Sequence, residues 1–207
     1  MADCQVPQHR ATGAWWSMIS LLAAIGLVAA GCTAAPPRGA GGATSASPEI
    51  VQAQPRSPQL EPCPEPAASG STDLPSRILP CLGGGSDVDL GARRDTPQVV
   101  NVWASWCIPC QTEMPRLQAA HEAVGTRVLF LGIDIADRRE SALAFLATTG
   151  VTFPQVFDED GEYRAALGVP GVPITLVLDR NGRIVYRRVG EISSEQLQTA
   201  LNKVGVR

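Results

Sequence analysis

Apolar positions change rhythm several times along this chain. Two near-continuous apolar runs, Gln98 to Ala104 and Arg127 to Ile135, have the β-branched content and length of buried strands. Each is followed by helix-forming residues, Ile108 to Val124 after the first and Ala142 to Leu146 after the second. The second helix is preceded by Asp137-Arg138-Arg139-Glu140, which has capping-box spacing. Further on, Ile174 to Leu178 and Ile184 to Arg188 flank Asp179-Arg180-Asn181-Gly182, and Asn-Gly between alternating apolar runs predicts an antiparallel hairpin. Ser193-Ser194-Glu195-Gln196 then caps a last helix through Leu197 and Leu201. Between Phe153 and Gly168 a short strand and a helix around Tyr163 to Leu167 form an inserted βα element. The order βαβα, then ββα, predicts an α/β fold whose mixed central sheet is flanked by helices on both faces.

The N-terminal part follows another logic. His9 and Arg10 precede an apolar run from Trp15 to Ala30 that closes on Ala29-Ala30-Gly31-Cys32, the charged, apolar and small-residue regions of an export signal. A run this short does not comfortably span a bilayer. Small residues directly before a cysteine resemble the lipobox of bacterial lipoproteins, which implies that Cys32 becomes the lipidated first residue of an extracytoplasmic, membrane-anchored chain. Ala29 departs from the aliphatic residue usual at that place. From Thr33 to Thr72 only Ile50, Val51 and Leu60 are aliphatic, too few to repay the ordering entropy of a packed element. The expected organisation is a signal at 1–31, a Pro/Gly/Ala-rich tether at 32–76 and a folded domain at 77–207.

Composition narrows the function. The 207 residues carry a net charge of −3, and Lys203 is the single lysine, so no basic stripe offers itself to nucleic acid. The 20 Gly and 17 Pro concentrate before Thr96, so the folded part is shorter than the chain.

Chemistry concentrates in Cys107-Ile108-Pro109-Cys110, at a junction of strand and helix. Free N–H groups and the dipole at a helix N-terminus favour a thiolate at Cys107, and Cys110 lies one turn along, which suits a reversible disulfide. Zinc would need about four ligands, and neither a second Cys-x-x-Cys nor a suitable histidine exists; haem attachment would want His where Gln111 stands. No metal and no cofactor are expected.

Asn101-Val102-Trp103-Ala104-Ser105-Trp106-Cys107-Ile108-Pro109-Cys110, Glu113-Met114-Pro115 and Gly171-Val172-Pro173-Ile174-Thr175 resemble the thioredoxin fold, and more closely its exported TlpA/ResA-like thiol-disulfide oxidoreductases, over roughly Arg77 to Val204. The resemblance implies that Cys107 is the attacking nucleophile and Cys110 the resolving thiol. It implies that Pro173 is the cis-proline beside the disulfide, with the Val172 backbone pairing to an extended substrate. Pro170 is a rival, but Pro173 runs directly into the following strand. Pro115 matches the proline that kinks the active-site helix. Glu113 matches a carboxylate that tunes the thiols, against the alternative of a solvated helix glutamate. Trp106 would present an apolar face to substrates, and Trp103 would pack in the core. Asn101 replaces the buried aspartate of thioredoxin and cannot accept the Cys110 proton, which leaves a water or Glu113. Peroxide reduction is excluded, because Val100 and Ala104 stand where a peroxiredoxin needs Pro and Thr.

Of the six cysteines Cys4 would leave with the signal and Cys32 would carry lipid, so once Cys107 and Cys110 pair, Cys63 and Cys81 remain as partners. Closing that loop is worth about 3 kcal/mol in the chain-entropy picture, and neither cysteine sits at a helix N-terminus, so a structural bond is favoured over a second redox pair. The expected activity is reduction of exported protein disulfides, which in the ResA-like branch means apocytochrome c cysteines, with a membrane thiol donor supplying electrons. A disulfide-forming oxidase and a non-catalytic binding adaptor are the alternatives.

Overall fold

The computed structural model describes residues 57–65 and 70–206; the signal region, Cys32 and most of the expected tether lie outside them. A short antiparallel pair, β1 (Ile78–Leu79) and β2 (Val88–Asp89), precedes a five-stranded sheet. The sheet comprises β3 (Gln98–Trp103), β4 (Leu129–Ile135), β5 (Gln155–Asp158), β6 (Ile174–Leu178) and β7 (Ile184–Val189) in the order β5-β4-β3-β6-β7. β3 runs parallel to β4 and antiparallel to β6, so the strand that delivers the cysteines is central and buried along its whole length. This is the expected mixed sheet.

Helices α1 (Ile108–Val124), α2 (Arg139–Thr149) and α4 (Ser194–Lys203) bury Met114, Leu117, Leu146, Leu197 and Leu201 in one layer with Val99 and Trp103 of β3. The two βα crossovers, β3 to β4 and β4 to β5, step the same way across the sheet, and right-handed connections then put α1 and α2 on one face. On the other face Val100 and Val102 pack with Tyr163 of α3 (Glu162–Ala166) and with Leu74, Leu79, Val88 and Leu90. β5 and α3 are the inserted βα element.

Gly132 in β4 makes room for the next strand's side chain: a Cβ there would fall 1.8 Å from Gln155 Oε1. Gln155 uses that space to accept the Trp103 indole N–H at 2.9 Å, which satisfies a fully buried polar group.

Three expectations need correction. The folded body begins before Arg77, because Cys63 and Leu74 are buried in the core and Glu61 N donates to Thr152 O at 2.7 Å. The strand expected from Arg127 starts at Leu129, after a 3₁₀ turn at Gly125–Arg127. No capping box forms at Asp137: Arg138 is the N-cap of α2, and the Asp137 carboxylate accepts from the backbone of Arg138 and of Ser105. The box at Ser193 does form, with Gln196 answering it.

Candidate active site

Cys107 is the N-cap of α1, and its sulfur accepts the Cys110 N–H at 3.2 Å, the place that a Ser or Asp oxygen takes in most helices. The two sulfurs are bonded at 2.05 Å. Cys110 is fully buried while Cys107 keeps a trace of exposure, so an incoming sulfur can reach only Cys107. Pro109 falls in the first turn, where its missing N–H costs nothing, and Pro115 interrupts the helix further on.

The loop before the nucleophile is held on all sides. Cys107 N donates to Ala104 O at 3.1 Å, Gln111 Nε2 to Ser105 O at 2.7 Å, Ser105 N to Asp137 Oδ2 at 2.5 Å, and Trp106 Nε1 to Ala136 O at 3.0 Å. Trp106 nevertheless leaves 58% of its surface exposed. Ile108 at 69% and Val189 at 46% are also unusually bare for apolar residues. Val189 pairs in register with Ile174, directly after Pro173, and the Val172–Pro173 peptide is cis. Trp103 lies in the core.

Glu113 is not a solvated helix residue. It is fully buried, with Oε1 accepting from Asn101 Nδ2 at 2.7 Å and Oε2 from Ile192 N at 2.8 Å. Burial pushes its carboxyl up to about 7, against the pull of those two N–H donors. Asn101 thus acts as a donor to the carboxylate, and also reaches Thr175 Oγ1 at 3.2 Å. The turn that carries Ile192 is fastened to the cis-proline segment by Gly190 N donating to Pro173 O at 2.9 Å. Arg116 anchors the same turn through Glu191 at 2.6 Å.

Cys63 and Cys81 are bonded at 2.00 Å and pack in the opposite core layer from Cys107 and Cys110. Sequence reasoning missed Asp134, and took Asp137 for a helix cap when it accepts from the loop that precedes Cys107. A lone charge inside Leu129-Phe130-Leu131-Gly132-Ile133-Asp134-Ile135 was the available signal, since an acid in a buried strand needs a reason.

The chain matches the Redoxin family over residues 66–203. It is 34% identical over 134 residues to the thiol:disulfide interchange protein DsbE of Pseudomonas fluorescens biotype C, across 64% of this chain and 74% of that protein. To the thiol-disulfide oxidoreductase ResA of Bacillus thuringiensis (strain Al Hakam) it is 28% identical over 123 residues, across 58% of this chain and 70% of that one. Of other DsbE proteins, from Vibrio cholerae and Escherichia coli, the match spans 56% and 51% of their length. A secreted thiol-disulfide isomerase from Corynebacterium glutamicum superposes with a TM-score of 0.57 at 30% identity, over 64% of this chain and 85% of that one. A Cys-x-x-Cys pair capping a helix, on a sheet of this order, agrees with all of these likenesses, and the chain belongs to the Redoxin family as a thiol-disulfide oxidoreductase of thioredoxin-like fold.

Proposed function

We propose that the chain reduces disulfides of exported proteins, the cysteines of apocytochrome c before haem attachment among them, from the extracytoplasmic face of a membrane to which a lipidated Cys32 ties it. The setting of Cys107 carries the direction. Its sulfur receives one N–H, from Cys110, and neither Ile108 nor Pro109 adds a donor or a cation. A thiolate with so little stabilisation keeps its reducing power, whereas strongly oxidising pairs owe their potential to a much-depressed thiol pKa.

In this reading the Cys107 thiolate attacks one sulfur of a client disulfide, and the other client sulfur leaves as a thiolate that takes a proton from water. The extended client segment lies along the Val172 backbone beside Pro173, with Trp106, Ile108 and Val189 as an apolar rim. Cys110 then gives its proton to the Glu113 carboxylate and attacks Cys107, which releases the second client thiol. Two electrons pass to the client, and the protein is left with the Cys107–Cys110 disulfide. A membrane thiol donor restores the dithiol by the same exchange run backwards. Glu113 suits the role because its carboxyl, raised to about 7, exchanges a proton near neutral pH.

The reduction potential tests the direction: a value below about −220 mV is expected, and one near about −120 mV would make the protein an oxidase. Replacement of Cys32 by Ala is expected to move the protein from the membrane fraction to the soluble exported fraction. Unchanged membrane association would remove the lipid anchor from the account.

A further inference from the structure

The loop between β4 and α2 touches the active-site loop at two points and has an unusual foundation. Its first residue, Ala136, is the only non-glycine residue at positive φ among the described residues, at 48°, a conformation that side-chain-bearing residues rarely adopt. Ala136 is fixed there by donating its N–H to Asp158 O at 2.9 Å while its carbonyl accepts the Trp106 indole. Asp137 follows and accepts the Ser105 N–H, two residues before the nucleophile. Beneath them, at the end of β4, Asp134 is fully buried, and no N–H or O–H donor among the described residues reaches its carboxyl oxygens; its polar neighbour is the carboxyl of Asp137, with which it can share a hydrogen bond only if one of the two holds a proton. Asp134 pairs in register with Trp103 on one side and Phe157 on the other, and so stands on the helix-layer face under the loop that leads to Cys107.

We propose that Asp134 is a positioning residue for disulfide exchange: with its proton on, it backs the Asp137 carboxylate that holds the Ser105 amide, and so fixes the loop that presents Cys107. The inference rests on the oxidoreductase reading of the Cys107–Cys110 pair. Ionised, Asp134 would set a buried carboxylate against the half-exposed one of Asp137, neither of them in an ion pair among the described residues, and the Ser105 contact would loosen. Other charged groups on the surrounding elements are engaged elsewhere or exposed, as Glu140 of α2 is. On α2, Arg139 sits over the Phe157 ring at 5.1 Å, and Arg138 at the N-cap is in the loop exposed to solvent. On β5, Asp158 accepts from Tyr163 N and faces Arg77 in the other layer. On α1, Glu113 is committed to Asn101 and Ile192. Burial first, and then the charge of Asp137, push the Asp134 carboxyl up to about 8, so the proton is present at neutral pH and leaves just above it.

The test uses the full chain in its oxidised form, in which neither active-site thiol titrates. Isotope-labelled protein is followed by NMR from about pH 6 to about pH 9.5. The Ser105 amide and the Trp106 indole N–H are expected to shift with a midpoint near that of Asp134, separate from the lower step of Glu113. In Asp134→Asn, which cannot lose a proton, the upper step is expected to vanish from both signals. The rate of reduction by dithiothreitol, corrected for the thiolate fraction of that reagent, is expected to fall about threefold across the same step in the natural chain and not in the variant, as a like charge placed near the attacked sulfur would cause. A Ser105 amide that stays still in the natural chain would overturn the proposal even if Asp134→Asn failed to fold. So would an upper step that persists in Asp134→Asn. Insulin reduction by the natural chain tests the oxidoreductase reading separately: its absence would sink that reading while leaving the Ser105 titration as measured.

Discussion

Cys107 and Cys110 stand 3 residues apart at a helix N-terminus, while Cys63 and Cys81 stand 18 apart, each next to a proline and on no helix. The bond is the same and the settings are opposed. Breaking the first leaves both sulfurs on one rigid turn, where they can close again, and the helix amide of Cys110 waits for the thiolate. Breaking the second frees the segment that begins at Ser57 from the body of the domain. That segment is otherwise held by the packing of Leu60 against the helix-layer core and by polar contacts that include Glu61 N on Thr152 O, Glu61 with His121 at 2.8 Å, and Cys63 N on Gly84 O at 3.0 Å. A disulfide becomes an electron carrier when reduction costs the fold little, and a staple when reduction releases chain entropy.

The widest separation between the two is expected in activity. Cys107→Ser is expected to abolish disulfide reduction in the insulin assay, and Cys110→Ser to accumulate mixed disulfides with clients. The double variant Cys63→Ser, Cys81→Ser is expected to keep its rate within about twofold below its melting transition. Loss of turnover in that folded double variant would erase the distinction and make the second pair part of the redox path.

Stability is expected to reverse the order. Removing Cys63–Cys81 is expected to cost about 3 kcal/mol by urea unfolding, while reducing Cys107–Cys110 is expected to cost about 2 kcal/mol, since the shorter loop takes less entropy from the unfolded chain. Peptide mapping after mild reduction is expected to find Cys107 alkylated and Cys63 still bonded. Equal labelling would count against a structural role for the longer bond.

Much of this contrast was legible in the sequence, because Cys-x-x-Cys at a strand–helix junction and a Val-Pro before a strand are chemical facts that do not depend on packing. The succession of strands and helices from β3 onward followed equally from apolar runs and one Asn-Gly turn, whereas the short β1–β2 pair left no such pattern. What the sequence concealed depends on tertiary partners. Ser57 to Glu65 has the composition of a tether, yet Cys63 is buried through its bond to Cys81. Asp137 has the spacing of a helix cap, yet the Ser105 amide takes its carboxylate instead. Glu113 could face water or the sheet, and three-residue spacing from Cys110 does not decide which; Asn101 and the Ile192 amide do.

Glu113 also sharpens the comparison through pH. The carboxyl titrates near its ordinary 4.5 in the unfolded chain and near 7 in the folded one, so between those values the folded protein holds a proton that the unfolded chain has released. Its contribution is therefore complete below the lower value and is lost as pH rises to the upper one, by on the order of 3 kcal/mol. Relative to the natural chain, Glu113→Gln is expected to gain stability across that window by a similar amount. A constant difference between the two would mean that Glu113 is ionised in the folded protein throughout. In kinetics the same proton has the opposite consequence. Release of the mixed disulfide is expected to quicken as pH rises through about 7, where Glu113 becomes able to accept from Cys110, and Glu113→Gln is expected to lack that rise.

The smallest expected effect concerns the rim. Trp106 has its indole N–H fixed on Ala136 O and its ring largely in water, so it contributes little to the core and offers area to a client. Truncation to Ala removes apolar contact with an extended segment and releases one hydrogen bond on the active-site loop, together worth about 1 kcal/mol. KM for a protein client is therefore expected to rise about fivefold, while the rate of reduction by dithiothreitol, too small to span the rim, changes little. Near the Cys63–Cys81 pair the comparably exposed apolar residue is Ile78, and its truncation to Ala is expected to leave both rates alone. If Trp106→Ala slowed dithiothreitol and the protein client equally, the side chain would be positioning the Cys107 loop through Ala136 rather than binding the client.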